Sequence, residues 1–177
     1  MALHVADTER LSLRHLALTD AAFILELVND PDWLRNIGDR GIHTEDAARD
    51  YITHGPCAMY ARFGFGLYRV ELRQSGIPIG LCGLVKRDWL DDVDIGYALL
   101  PAYRGQGYAH EAAASTLNHG RTALGLKRVA AIVSPGNTDS IRLLERLGLR
   151  FERMVTPPTA SAAICVYVTE TNEDPRP

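Results

Sequence analysis

Six residues, RGQGYA from Arg104 to Ala109, stand between an apolar run that reads as a strand, VDIGYALL (93–100), and an alanine-rich stretch that reads as a helix, YAHEAAASTLNHGRTALG (108–125). Pro101 cannot continue a strand ladder, so the strand ends at the loop PAYRGQG (101–107). Glycines at 105 and 107 let the backbone turn tightly and aim several N–H groups at one point, where the new helix adds the positive end of its dipole. Arg104 can add a formal charge. Arg104, Gly105, Gln106, Gly107, Tyr108 and Ala109 therefore form a candidate anion site suited to a diphosphate. Taken alone, the hexapeptide is explained equally well by glycines that only shape a strand-to-helix turn, because short glycine motifs match by chance.

The rest of the chain supplies an α/β context. RLSLRHL (10–16) alternates as a half-buried strand should, and Thr19 and Asp20 offer N-cap oxygens to AAFILELVN (21–29), which ends at the NDP turn. Thr44, Glu45 and Asp46 open a second helix through Ala47, Ala48, Tyr51 and Ile52, with Gly55 and Pro56 as its stop. Phe65 to Arg73 and Ile77 to Val85 read as an antiparallel hairpin joined by Gln74, Ser75 and Gly76. RVAAIVS (128–134) is apolar enough for a central strand, and Asn137 and Thr138 start the helix SIRLLERLG, which Gly148 ends at C′. FERM (151–154) and ICVYVTE (164–170) close the set as strands. At 177 residues this is expected to be a single domain over 1–177, with the tail 171–177 too polar to pack and read as flexible.

Composition narrows the partners. A net charge of -3 argues against a general nucleic-acid binder, which needs a basic surface to displace counterions. Three cysteines with no CxxC pair suggest neither a disulfide framework nor a zinc site and fit a reducing, cytoplasmic setting. No apolar run approaches the roughly 20 residues needed to cross a bilayer, so no membrane role is expected. The six histidines carry no HExxH-like spacing, and no metal is expected.

Ordered blocks along the chain carry a more specific likeness. TERLSLRHLALTDAA, VDIGYALLPAYRGQGYAHEA and NTDSIRLLERLGLRFE resemble the successive blocks of the RimJ/RimL-like branch of the GNAT N-acetyltransferase superfamily, whose motif (Q/R)-x-x-G-x-(G/A) is matched by Arg104, Gly107 and Ala109. The resemblance implies a mixed, mostly antiparallel sheet flanked by helices, in which two neighbouring parallel strands splay apart to admit the arm of acetyl-CoA. VDIGYALL and RVAAIVS would be those strands, with Gly96 as a bulge that opens the gap or a mark of ordinary close packing. It further implies that backbone groups from Ala98 through Leu99 to Leu100 hold the acetyl and pantetheine, that Arg104 to Ala109 hold the pyrophosphate, and that Asn137 touches the cofactor arm. Asn137 is also a good helix cap, and both roles are compatible.

Acetyl transfer to an amine needs a base for the amine and a proton for the departing thiolate. Asp94 stands where family members place a carboxylate base, although an acidic residue on a solvated strand face explains it as well. The tyrosine that supplies the acid in many family members falls here on Leu144. Ser140 is the substitute candidate, with satisfaction of its helix's first turn as the other reading. His110 and Glu111 read as surface or capping positions, Cys82 as core, and Trp33, Tyr60, Phe63 and Phe65 as core or as lining of the acceptor side, with core the default. With no GxSxG and no nucleophilic cysteine context, transfer is expected to be direct, to a peptide N-terminus or a small-molecule amine. A homodimer is compatible with all of this. The competing function is a non-catalytic acyl-CoA-binding sensor or partner-binding module, supported by the absent tyrosine. A dinucleotide-binding oxidoreductase lacks the GxGxxG spacing after an early strand.

Overall fold

The computed structural model describes residues 3–171, so the tail read as flexible lies outside the described residues except for Thr171. Eight strands form one sheet: β1 (His4–Asp7), β2 (Leu11–His15), β3 (Leu67–Leu72), β4 (Pro78–Val85), β5 (Asp94–Leu99), β6 (Ala130–Val133), β7 (Arg150–Val155) and β8 (Ile164–Val168). Their order across the sheet is β1-β2-β3-β4-β5-β6-β8-β7. Every neighbouring pair is antiparallel except β5 and β6. The expected mixed, mostly antiparallel sheet with one central parallel pair is the observed one.

Helices α1 (Ala21–Val28), α2 (Pro31–Asn36) and α3 (Glu45–Ile52) bury Phe23, Ile24, Leu27, Trp33, Ala48 and Ile52 in a cluster with Leu81 and Leu100 of the sheet region. Helices α5 (Tyr108–Thr122) and α6 (Thr138–Arg146) contribute Ala112, Ala113 and Leu144 to a second cluster with Cys82, Leu84, Ile95 and Leu99. Side chains alternate across a strand, so one layer of helices covers each face. Helix α6 ends as its sequence foretells: Gly148 takes φ +88° and the Leu149 N–H reaches back to Leu144 O at 3.0 Å.

Several local expectations are corrected. The second helix does not stop at Gly55 and Pro56. It widens into a π turn over Thr53–Cys57 and resumes as α4 (Ala58–Phe63), ending where Gly64 adopts φ +78°. The wide turn absorbs Pro56, whose missing N–H and ring would break a regular turn. Asp20 does not cap α1 with its carboxylate, which accepts instead from Ala17 N–H at 2.9 Å and from Arg69. The NDP turn is followed by α2, a helix that was not anticipated: Asp30 caps it and Pro31 occupies its first turn.

Gly96 is no bulge. It pairs with Gly83 in an unbroken β4–β5 register, and the irregularity lies one strand away, between Val70 and Glu71. A methyl group on Gly96 would meet Leu67 Cδ2 at an ordinary 3.6 Å, whereas on Gly83 it would fall 2.1 Å from the Gly66 carbonyl oxygen. Close backbone approach therefore demands glycine at 83 and not at 96. Gly83→Ala is expected to lower the unfolding free energy by about 2–3 kcal/mol, and Gly96→Ala by less than about 1 kcal/mol, in urea denaturation.

Candidate active site

The β5–β6 contact is brief. Asp94 pairs with Ala130, the Ala130 N–H donates to Val93 O at 2.9 Å, and no further rung joins the two strands. Beyond it they border a cleft of about 1130 Å³ lined by Gly96, Tyr97, Ala98 and Leu99 on one side and Ala131, Ile132, Val133 and Ser134 on the other. The cleft continues to the turn at Gly105 and Gly107.

Along β5 the backbone alternates in partner. Leu100 N–H donates to Ile79 O at 2.8 Å, so in this register the peptide groups of Ala98 also point toward β4, while those of Tyr97 and Leu99 point toward the gap. Of the three backbone positions expected to meet a cofactor arm, Leu99 has its peptide edge on the gap, and Ala98 and Leu100 are engaged in the sheet. Tyr97 joins Leu99 on the open edge.

At the far end of the cleft, Gly105 and Gly107 have φ +71° and +82°. Among the described residues, no protein group accepts from the N–H of residues 105 to 110, and Glu111 is the first to donate, to Gly107 O at 3.1 Å. The first-turn amides of a helix point out along its axis, so Tyr108, Ala109 and His110 present theirs at the N-terminus of a 15-residue helix. Gly107 also faces Arg10: an added methyl would lie 3.4 Å from its Nη2. Arg10 donates to Gln106 O at 3.0 Å and to Glu111 at 2.7 Å, and its guanidinium lies over the Tyr108 ring. Glu111 accepts as well from Thr8 Oγ1 at 2.6 Å and from Arg10 N–H at 2.9 Å. Burial works to raise its pKa, but these donors hold it below the usual carboxylate value. Glu111 is thus a tether that binds the start of β2 to the turn.

Asp94 is 1 % exposed and lines the cleft, its Oδ1 2.8 Å from Arg87 Nε. Burial pushes its pKa above the usual carboxylate value, with Arg87 opposing. The reading of Asp94 as a solvated strand residue does not hold: it is a buried, ion-paired carboxylate. Asn137 caps α6, accepting from Ser140 N–H at 3.3 Å, and lines the cleft. Ser140 Oγ stands 2.7 Å from Tyr97 Oη, a pairing that only the fold brings together, and burial pushes the Tyr97 phenol up to about 12. Leu144, at the place of the absent tyrosine, is buried in the core beneath the cleft.

Of the four aromatics weighed for the acceptor side, Trp33 lines the cleft, whereas Tyr60 stacks on His15 and Phe63 on Phe65 inside the fold. Tyr51, Arg40 and Arg87 also line it, and the two arginine charges work against the burial that raises the Tyr51 pKa. Tyr97, Arg87 and Tyr51 escaped the sequence reading; the period-two spacing of Tyr97 from Leu99 was the one usable signal. Cys82, Cys57 and Cys165 stand off the cleft as free thiols, Cys82 pushed up to about 12 by burial. Among the described residues no group of His, Cys, Asp or Glu is placed to hold a metal ion, and no helix is long and apolar enough to cross a membrane.

A sheet that parts at one parallel pair, with a glycine turn and an open helix N-terminus at the end of the gap, is the architecture of acyl-CoA-dependent transfer. Residues 10–150 match the acetyltransferase (GNAT) domain model, and the chain belongs to that family. An uncharacterized N-acetyltransferase, p20, of Bacillus licheniformis is 30% identical over 150 residues, spanning 84% of this chain and 83% of p20. Among solved structures, an acetyltransferase from Agrobacterium tumefaciens str. C58 superposes with a TM-score of 0.79 at 26% identity, covering 94% of each chain. RimL, a ribosomal L7/L12 alpha-N-protein acetyltransferase solved with coenzyme A, superposes at 0.73 with 13% identity, covering 97% of this chain and 99% of that one, and speaks for the fold alone.

The family implies acetyl-CoA as cosubstrate, and the donor set here fits it: unpartnered backbone N–H groups suit a diphosphate, and an open strand edge suits an amide-bearing arm. Hydrogen exchange on the ligand-free protein is expected to find the amides of residues 105–110 unprotected, with protection beginning at Glu111.

Proposed function

We propose that the chain is a RimJ/RimL-like N-acetyltransferase that acts as one domain over 1–177 and moves an acetyl group from acetyl-CoA directly to a primary amine, either a protein N-terminal α-amine or that of a small molecule. The observation that carries this reading is the meeting of Asp94 and the Tyr97–Ser140 pair on one cleft. Asp94 and Tyr97 are three residues apart on a strand and so project from opposite faces; they share a cleft because the sheet opens beside them.

Bound acetyl-CoA supplies an activated thioester: a carbonyl carbon open to attack and a thiolate that can leave. Gly105, Gln106, Gly107, Tyr108 and Ala109 would hold its diphosphate by backbone N–H groups, with Asn137, the peptide groups of Tyr97 and the Leu99 N–H along its arm. Asp94 takes a proton from the incoming amine, directly or through a water, and Arg87 keeps the carboxylate oriented. Ser140 Oγ and Tyr97 Oη share a hydrogen bond and hold a proton for the departing sulfur, and the elevated phenol pKa keeps Tyr97 protonated throughout the working range. Free thiols remote from the cleft support direct transfer over an acyl-enzyme, and unpaired cysteines suit the cytoplasm.

The alternative, a non-catalytic acyl-CoA-binding module, draws on the Asp94–Arg87 ion pair, which partly occupies the base. Kinetics decide between them. A base works ionised, and burial raises the Asp94 pKa, so kcat should climb with pH through a value above the ordinary carboxylate range. Asp94→Asn is expected to lose that limb and to lower kcat by about 10²–10³-fold while CoA still binds by calorimetry. Tyr97→Phe and Ser140→Ala should each lower kcat about tenfold, with little further loss when combined. CoA binding with no acetylation across a broad panel of amines and N-terminal peptides would establish the binding module instead.

A further inference from the structure

Arg104 heads the phosphate turn, and its charge was expected to serve the anion. In the fold, its guanidinium has three protein partners: Nε donates to Leu99 O at 3.0 Å, Nη1 to Asp32 Oδ2 at 2.5 Å and Nη2 to Asp30 Oδ2 at 2.5 Å. The same Asp30 oxygen accepts from Asp32 N–H at 3.1 Å and Trp33 N–H at 3.3 Å, which makes it the cap of α2. Burial works to raise the Asp30 pKa, but Arg104 and these N–H groups bring it below the usual carboxylate value, so the residue is ionised wherever the protein works.

Helix α2 is six residues long, with Trp33 its one buried side chain. Such a short helix does not hold by itself and takes its position from tertiary contacts. Trp33, Asn36 and Ile37 line the cleft, and Trp33 packs in the same cluster as Tyr51, so where α2 sits decides the shape of that wall.

We infer that Arg104 is a positioning residue that fastens α2, and with it the Trp33 wall of the acceptor side, to the end of β5, and that it is not a ligand of the diphosphate. The inference rests on the reading that the cofactor's diphosphate sits at this turn. Two carboxylates already neutralise the guanidinium, one of them buried. Turning it toward a phosphate would strand Asp30 without its cation in a place where an unpaired charge is costly. The amides of residues 105–110 are left to meet the anion, which is why the turn needs glycine more than it needs a further cation.

The test compares Arg104→Gln with the double variant Asp30→Asn, Asp32→Asn, which keeps Arg104 and retains a capping side chain at position 30. The two tryptophans, Trp33 and Trp89, both line the cleft, so Trp89→Phe leaves Trp33 as the sole fluorescent reporter on α2. Both variants are expected to shift Trp33 emission to the red in the ligand-free protein and to raise the acceptor KM several-fold with kcat nearly kept. Their dissociation constants for free CoA, read by calorimetry, should lie within about threefold of one another, and combining the changes should add little.

A CoA affinity about tenfold weaker in Arg104→Gln than in the double variant would make Arg104 a phosphate ligand and overturn the inference. So would unchanged Trp33 emission in both. Where Arg104→Gln fails to fold, the double variant and Arg104→Lys decide by the same emission and affinity readings. A wild type that binds CoA and acetylates no amine defeats the proposed catalysis and leaves this inference to fluorescence and calorimetry.

Discussion

One pairing, Asp94 with Ala130, is the last place where the two central parallel strands hold together, and the site follows from what happens beyond it. A continuous ladder would have satisfied the β5 edge with β6 and left no room between them. Because the strands part, the peptide groups of Tyr97 and Leu99 lack a strand partner, and a buried backbone then needs a substitute, which Arg104 Nε supplies to Leu99 O at 3.0 Å. The gap also joins the two faces of the sheet. Asp94 belongs to the face covered by α1–α3 and Tyr97 to the face covered by α5 and α6, yet both border the same cleft.

The turn at the end of the gap is held from two sides by ion pairs that leave its N–H groups untouched. Arg10 and Glu111 fix it to the β1–β2 loop, and Arg104 fixes its first residue to α2. In both, a guanidinium engages a backbone carbonyl and carboxylate oxygen, from Glu111 for Arg10 and from Asp30 and Asp32 for Arg104, a geometry in which its planar fork is well matched. The result is a rim braced from two sides around a cluster of N–H groups without protein acceptors among the described residues.

Much of this was legible along the chain. Strand, glycine turn and helix followed from Pro101, Gly105, Gly107 and the alanine-rich segment, because each rests on a local backbone constraint. Gly148 and Asn137 were read correctly as the end and the cap of α6 for the same reason. Where local rules competed with packing, the reading went astray. Pro56 looked like a stop, but a wide turn carries the helix past it, and Gly96 looked like a bulge or a mark of close packing, but close backbone approach requires glycine on the neighbouring strand, at Gly80 and Gly83.

The sequence by itself determined the order of elements, the placement of the anion turn and the chemistry of the acidic and hydroxyl side chains, since all of these depend on residues near one another along the backbone. Tertiary structure alone decided which groups meet. It set Tyr97 against Ser140 across 43 positions and gave Asp94 its burial and its hold on Arg87. It also joined Arg104 to Asp30, 74 positions away at the cap of helix α2. Pairings of that kind arise from strand order and from where a sheet opens, and a linear pattern records neither.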